Sequence, residues 1–519
     1  MSTKSIFFSA LILSLVAVQT SANTLVRLEV SASAVVQFDI IRDDFNLAGD
    51  DERLAKLPNF SADIVISANG AVIPEIRGLR VTNSLHWDLI IEVGRWYKTD
   101  AKISLVIPFA LVEKGGNCTH QGMLAIENNT LAYQISTETC QYFKFNAQGS
   151  ATVALMNARS EGADNLVNNL FSELSNRLPE KPISALQTDH PGLTSDVFAQ
   201  ADFVKLTNMS IYGLVKEGVH YVSGCATRAV AYPDCGNMPL PSYSLAKSMI
   251  GGIGLMRLEK LYPGTQHRLV KDLIPACSDW GNVTLSNLLN TNTGRYLSAV
   301  PHRDEDRHIG ELLAKLTAES KTKLACNLYK AKADPGEKWV YHTSDTWLLG
   351  VAMQTLWQQK KGPTADFYTD LISPLWHDLG LSPVISSPHR QDGQPLTGLG
   401  MSFLRSDIAL FAQAMASGHA SLYEALDTGM LDAAMQRNPS DRGGVAGSPK
   451  LRYKNGFWGW DAGGYLNCEQ PKWIPSMSGY GGIAVVFLDD GDSYYYFSDG
   501  GVHRFAEIIK HLHNHKKLC

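Results

Sequence analysis

The sequence predicts two units, an all-β sandwich-like domain followed by a larger α/β or α+β domain, and three observations carry that expectation. From Leu25 to about Met156 apolar residues alternate with polar ones in short runs separated by Gly, Asn and Pro, the pleat period of strands. Between Asp164 and Asn176 the period becomes helical, with Leu166, Leu170 and Leu174 on one stripe, and the Pro-rich LPEKP follows. Beyond it, apolar strands and helices mix. The division is therefore 23–160 for the β domain, 161–194 for a linker and 195–519 for the second domain.

In chain order, residues 1–22 read as a secretory signal peptide, with Lys4 ahead of an apolar run from Ile6 to Val18 and small residues ending at Ala22. That run is too short to span a bilayer, and no later stretch approaches the roughly 20 apolar residues a span needs. An exported chain, periplasmic or secreted, with no membrane span is the expectation. In the β domain, Val26, Leu28 and Val30 alternate with Arg27 and Glu29; Val36, Phe38 and Ile40 form a second run, and Ile103, Leu105 and Ile107 a third. The second domain opens with a strand pair near Ile211 to Val222. It continues with an apolar helix from Ser244 through Leu261, and closes with strands around Gly482 to Leu488 and Tyr494 to Phe497 and an amphipathic helix bearing Phe505, Ile508, Ile509 and Leu512.

Composition bounds the function. The 519 residues carry 46 Lys+Arg against 51 Asp+Glu, a formal charge of -5, and are 45% hydrophobic and 19% charged, which excludes dominant disorder. No basic run offers a footprint for nucleic acid. Eight cysteines, Cys118, Cys140, Cys225, Cys235, Cys277, Cys326, Cys468 and Cys519, form an even set that suits disulfides in an exported chain. The simplest of the 105 pairings open to eight cysteines joins neighbours: Cys118 to Cys140, Cys225 to Cys235, Cys277 to Cys326 and Cys468 to Cys519. No C-x-x-C pair supports a zinc site, so no metal is expected.

Chemistry concentrates in three segments. In PLPSYSLAKSMIGGIG, Ser244 and Lys247 stand three apart at a helix start and share a face. A serine hydroxyl needs a proton acceptor before it becomes a nucleophile, and a partly desolvated lysine supplies one. Ninety-seven residues on, Tyr341 stands two before Thr343 in YHTSDTWLLG, and 139 residues further Tyr480-Gly481-Gly482 leads into a strand at Ile483. Taken singly these are a helix N-cap, a buried aromatic and a tight turn; in this order they form a set.

With those motifs the chain resembles, over about residues 195 to 519, the serine hydrolases related to class C β-lactamases and penicillin-binding proteins, whose signature runs S-x-x-K, Y-x-N, then K-T-G or variants such as Y-G-G. NVTLSNLLNTNTG (Asn282 to Gly294) and GLGMSFLRSDIALFAQAMASG (Gly398 to Gly418) extend the likeness, and the YHTSDTWLLG wording is similar to the esterase and 6-aminohexanoate-dimer hydrolase branch. The resemblance implies an antiparallel sheet flanked by helices, with Ser244 as nucleophile and Lys247 and Tyr341 handling its proton. It places the oxyanion hole at the backbone N–H of Ser244 and of Ile483, after Tyr480-Gly481-Gly482, and implies no cofactor. The substrate would be a small or oligomeric ester or amide. Two departures stand out: Thr343 replaces the family's Asn, and Tyr480 replaces the lysine that would hold a β-lactam carboxylate. They favour an esterase or amidase over a β-lactamase or D,D-peptidase. A rival register reads Ser344-Asp345-Thr346 as the second motif, and a rival outside enzymes is a binding protein working through its β domain.

Other signals read blandly. His511, His513 and His515 alternate in what reads as a frayed tail, HRDEDRH (His302 to His308) as a solvated loop, Trp458 and Trp460 as sheet packing, and Gly251, Gly252 and Gly254 as close helix packing. Oligomeric state has no sequence signal.

Overall fold

The structure, a computed structural model, describes residues 23–48, 52–99, 102–127, 129–157, 161–229 and 231–519; the expected leader, residues 1–22, lies outside them. The alternating N-terminal runs form nine strands: β1 (Thr24–Asp43), β2 (Phe60–Ile66), β3 (Ala71–Pro74), β4 (Trp87–Ile91), β5 (Gly94–Thr99), β6 (Lys102–Glu113), β7 (Thr119–Glu127), β8 (Thr130–Thr139) and β9 (Phe143–Asn157). Their pairing corrects the sandwich expectation. Antiparallel ladders run β1–β2–β3–β5–β6–β7–β8–β9 and back to β1, with β4 added along β6, so the strands close into one barrel rather than two facing sheets. Two long strands make closure possible. The β6 strand is paired by β5 and then β4 on one edge and by β7 on the other, while register breaks along β1 bend it around the rim.

Leu28, Ile64, Leu105, Ile107 and Phe145 fill the barrel, each at most 1% exposed. The second predicted run behaves differently. Val36 is 75% exposed and Ile40 45%, because β1 beyond Val30 is paired only by β9 and extends past the core. Segment 161–194 is not a spacer. Helix α1 (Ala163–Asn176) lays Ala163 and Val167 on Leu25, Val65 and Ile73, and its Glu173 meets Arg77, which also pairs with Glu92 at 2.8 Å inside the protein. Glu173 thus takes the inward place at the end of the helix, leaving Leu174 44% exposed. Strand β10 (Glu180–Pro182) already belongs to the second sheet.

That sheet also has nine strands: β10, β11 (Met209–Lys216), β12 (Val219–Val222), β13 (Gly444–Val445), β14 (Leu451–Lys454), β15 (Phe457–Asp461), β16 (Trp473–Gly479), β17 (Ile483–Phe487) and β18 (Ser493–Ser498). It is open, in the order β10-β12-β11-β18-β17-β16-β15-β14-β13, and antiparallel except where β10 meets β12. One face carries the main core, including helix α2 (Ile253–Leu261), and the other is covered by residues 183–199 and the C-terminal helix. The second unit is therefore a large antiparallel sheet flanked by helices. No helix among the described residues is long and apolar enough to cross a membrane. All four neighbour pairings of cysteines are present: Cys118–Cys140, Cys225–Cys235, Cys277–Cys326 and Cys468–Cys519.

Candidate active site

Ser244 sits on a turn just before a π-helical stretch, Lys247–Gly252, that continues into α2. The residue ahead of it, Tyr243, has φ 40°, a left-handed conformation that a bulky side chain adopts only when its surroundings enforce it. The enforcement comes from the barrel. Asn117, in the β6–β7 loop, accepts through Oδ1 from Tyr243 N (2.7 Å), Ser242 Oγ (3.1 Å) and Gly400 N (3.2 Å). Ser242 is further tied to Met401 in both directions, N to O at 2.9 Å and Oγ from Met401 N at 3.0 Å. From below, the Asn455–Gly456 turn presses on the helix. A Cβ on Gly252 would lie 2.6 Å from the Asn455 carbonyl oxygen, and one on Gly456 2.7 Å from that of Lys247, so both glycines answer to close approach. The turn is thereby held rigid, with Ser244 more open to solvent than its buried neighbours.

One helical step on, Lys247 is 1% exposed and donates to Ser244 Oγ (2.9 Å), Thr343 Oγ1 (2.8 Å) and the Gly398 carbonyl (3.1 Å), while its ammonium lies 4.8 Å from the Tyr341 ring centroid. Burial lowers its pKa to about 8, against the opposing pull of Glu305 and Asp345. The Tyr341 hydroxyl is hydrogen-bonded to Ser244; burial, with Glu305 adding, pushes it well above the usual tyrosine range, and the Ser244 contact offsets this only in part. Its ring packs among Trp339, Tyr453, Trp458 and His302. Trp458 therefore walls the site as well as packing the sheet, while Trp460 meets Tyr465 and Phe505 elsewhere.

Thr343 opens helix α4 (Thr343–Lys361), α3 being Arg303–Leu313. Thr343 contacts Lys247, and Tyr341 contacts Ser244, whereas in the alternative Ser344-Asp345-Thr346 register Thr346 caps back onto the Thr343 carbonyl and Asp345 faces His342. The HRDEDRH stretch is not a solvated loop. It starts α3, buries Asp304 against the Leu297 and Ser298 amides, and brings Glu305 to Thr343, where the carboxylate accepts from Thr343 N at 2.8 Å and from its hydroxyl. A groove of about 720 Å³ lined by Val300, Pro301, His302, Asp306 and Leu451 adjoins this side.

The third segment is placed differently from expectation. Tyr480-Gly481-Gly482 is the turn of the β16–β17 hairpin, with both glycines at positive φ, and Gly482 gives its carbonyl to Ser498. Ile483, expected as an oxyanion donor, is the first residue of β17 and is paired to Gly479 on one side and Phe497 on the other, so its backbone lies inside the ladder. The strand end beside the Ser244 turn is Gly479, whose Cβ would stand 2.9 Å from the Ser242 carbonyl oxygen. The next amide, Tyr480 N–H, and that of Ser244 donate to no backbone carbonyl among the described residues. The Tyr480 ring leans toward Tyr243 (5.7 Å between centroids) and Tyr142 of the barrel (6.2 Å), and is 47% exposed.

The structure thus brings Ser244, Lys247, Tyr341 and Thr343 together, with Tyr480 and Gly481-Gly482 on the hairpin beside the turn. The C-terminal histidines stand apart on helix α6 (Ala506–His515), counting Arg405–Ser417 as α5; His511 Nε2 caps Thr194 N there at 3.1 Å. The sequence reading missed Asn117, Glu305 and the Ser478-Gly479 end of β16. A signal existed only for the last, since WIPSMSG alternates as a strand up to Gly479 and ends ahead of the glycine pair.

No family model matches the chain, and no curated protein matches it in sequence. Among solved structures it is similar to a Bacillus anthracis protein described as a 6-aminohexanoate-dimer hydrolase, at 14% identity and a TM-score of 0.47, over 65% of this chain and 86% of that one. It is similar also to EstCE1, a hydrolase with promiscuous acyltransferase activity (13%, 0.46, 68% and 100%), and to a penicillin-binding protein from Bacillus halodurans (13%, 0.44, 60% and 97%).

Proposed function

We propose that the chain is an exported serine hydrolase that cleaves an ester or amide through an acyl-Ser244 intermediate. The observation that carries this reading is the buried Lys247 ammonium, poised to shed its proton near neutral pH and hydrogen-bonded to a serine on a strained turn. Ser244 Oγ bonds to the substrate carbonyl carbon as its proton passes to Lys247 Nζ. The carbonyl oxygen takes the negative charge, held by the Ser244 and Tyr480 N–H groups, each such donor contributing about 3 to 4 kcal/mol in comparable sites. As the tetrahedral adduct collapses, the Tyr341 hydroxyl protonates the leaving alcohol or amine, and the proton on Lys247 restores Tyr341. Water, losing its proton to the same pair, then releases the acid and frees Ser244. With its hydroxyl held far up the pH scale by burial, Tyr341 is the donor in this scheme and Lys247 the acceptor.

Four disulfides support an oxidising compartment. The test is turnover of p-nitrophenyl esters of increasing acyl length, then the matching anilides. Wild type should show a burst of p-nitrophenol, and Ser244→Ala should lose at least ~10³-fold in kcat with an unchanged melting curve. Undiminished activity in that variant would overturn the reading, and a folded wild type inert to every ester, anilide and penicillin would favour a binding protein.

A further inference from the structure

The hydrogen-bond chain from the nucleophile does not stop at Lys247. The Thr343 hydroxyl accepts from Lys247 Nζ at 2.8 Å and has one proton of its own to give, which goes to a Glu305 carboxylate oxygen; the other carboxylate oxygen accepts from Thr343 N at 2.8 Å. One side chain from α3 therefore fixes both the hydroxyl orientation and the first turn of α4. With its hydrogen committed to Glu305, Thr343 can only accept from Lys247. This directs the ammonium toward Ser244 Oγ and the Gly398 carbonyl, its remaining partners.

We propose, on the basis of the acyl-Ser244 reading above, that Glu305 is a positioning residue for the nucleophile's base: acting through the Thr343 hydroxyl, it aims Lys247 Nζ at Ser244 and controls how readily that nitrogen gives up its proton. The surroundings leave it a distinct part. The titratable groups facing Lys247 are Tyr341, which is neutral; Asp345, on α4, which is engaged with His342 at 3.5 Å; and His302, just ahead of α3, which burial holds below the usual histidine range. Asp304 on α3 is committed to the Leu297 and Ser298 amides, and Asp306 lies on the groove wall. Arg295 beyond Asp345 pairs with Asp279. Glu305 alone is joined to Lys247 by a single bridging hydroxyl. Thr343 thereby also acquires a role: its hydroxyl, accepting from the lysine and donating to Glu305, couples the two.

A role confined to capping α4 would appear in the melting curve and nowhere else. The experiment is therefore the pH dependence of inactivation by a fluorophosphonate, in which Ser244 Oγ bonds to phosphorus, its proton passes to Lys247 and fluoride leaves, with the adduct located on Ser244 by peptide mass. In wild type the rate should rise through about pH 8. Glu305→Gln keeps an acceptor for the capping bonds but removes the charge, so the midpoint should move down by about 1 pH unit. Thr343→Val should slow labelling at the plateau by 10-fold or more, and Thr343→Ser should restore it. A Glu305→Gln midpoint equal to or above wild type, or Thr343→Val labelling at the wild-type rate, would overturn the inference while leaving the nucleophile intact. A wild type not labelled at Ser244 would instead remove the acyl-serine reading and this inference with it. Should Glu305→Gln fail to fold, the Thr343 pair decides.

Discussion

The barrel and the open sheet each assemble nine strands around an apolar core, yet Ser244, Lys247, Tyr341 and Thr343 gather beside the open sheet. In the barrel the ladders run from β1 round to β9 and back to β1, and the interior is filled by side chains such as Ile107 and Phe109. The open sheet ends its β16–β17 hairpin beside the Ser244 turn, where the Ser244 and Tyr480 amides donate to no backbone carbonyl among the described residues. The difference shows where a closed sheet can still act: through its loops. Asn117 in the β6–β7 loop clamps the Ser242–Tyr243 backbone, and in the β8–β9 loop Tyr142 faces Tyr480 while Gln141 fills the space beside Gly501. The Cys118–Cys140 disulfide ties these two loops together. A unit expected to be a neighbour thus holds the Ser242–Ser244 turn, with Tyr243 at positive φ, in place.

The comparison breaks most directly at Asn117. Replacing it by Ala removes the acceptor of the Tyr243 and Gly400 amides, which should cost about 1 to 3 kcal/mol in urea unfolding and lower kcat by about 10- to 100-fold, with KM less affected. An unchanged kcat would make the barrel a passive neighbour. Next in size are the disulfides. Opening Cys118–Cys140 with a double Ser variant should lower kcat several-fold at 25 °C, whereas opening Cys468–Cys519, which staples the C-terminal end away from the site, should lower the melting temperature and leave kcat alone. Equal kcat losses from both would mean that general loosening is being read. The smallest effect separates the two units by pH. His120, buried in the barrel against Phe145 and Trp87, has its pKa lowered by burial to about 3. The unfolded chain binds a proton there below about pH 6.5 and the folded chain does not, so the contribution is complete above pH 6.5 and lost as pH falls toward 3. His120→Asn should flatten this acid dependence, by about 2 kcal/mol at pH 5, without altering the pH dependence of Ser244 labelling.

The fold was legible in the sequence where periodicity is local and not where closure depends on distant edges. The strands carrying Val26, Leu28 and Val30, and Leu105 and Ile107, announce themselves by alternation; whether their ladders make a sandwich or a barrel depends on β6 being long enough to pair with three partners, which no short window contains. At the site, Ser244 and Lys247 stand out because a spacing of three places both on one helix face, and Tyr341 and Thr343 because they follow in the order of the motif set. Glu305 and Asn117 do not, since a charged stretch reads as a solvated loop and an Asn in a Gly-rich loop as an ordinary turn until the fold brings them to Thr343 and Tyr243. For Ile483 the reason is related: glycines ahead of a strand mark a close approach, but Gly482 approaches Ser498 and Val502, and the approach to the Ser242 backbone is at Gly479, on the preceding strand.

The central claim is that Ser244 is an activated nucleophile, and intact mass after incubation with a fluorophosphonate tests it without choosing a substrate. The account predicts one adduct per chain at pH 8, absent in Ser244→Ala protein that melts like wild type. No adduct on folded wild-type protein, or an adduct that persists in the variant, would contradict it.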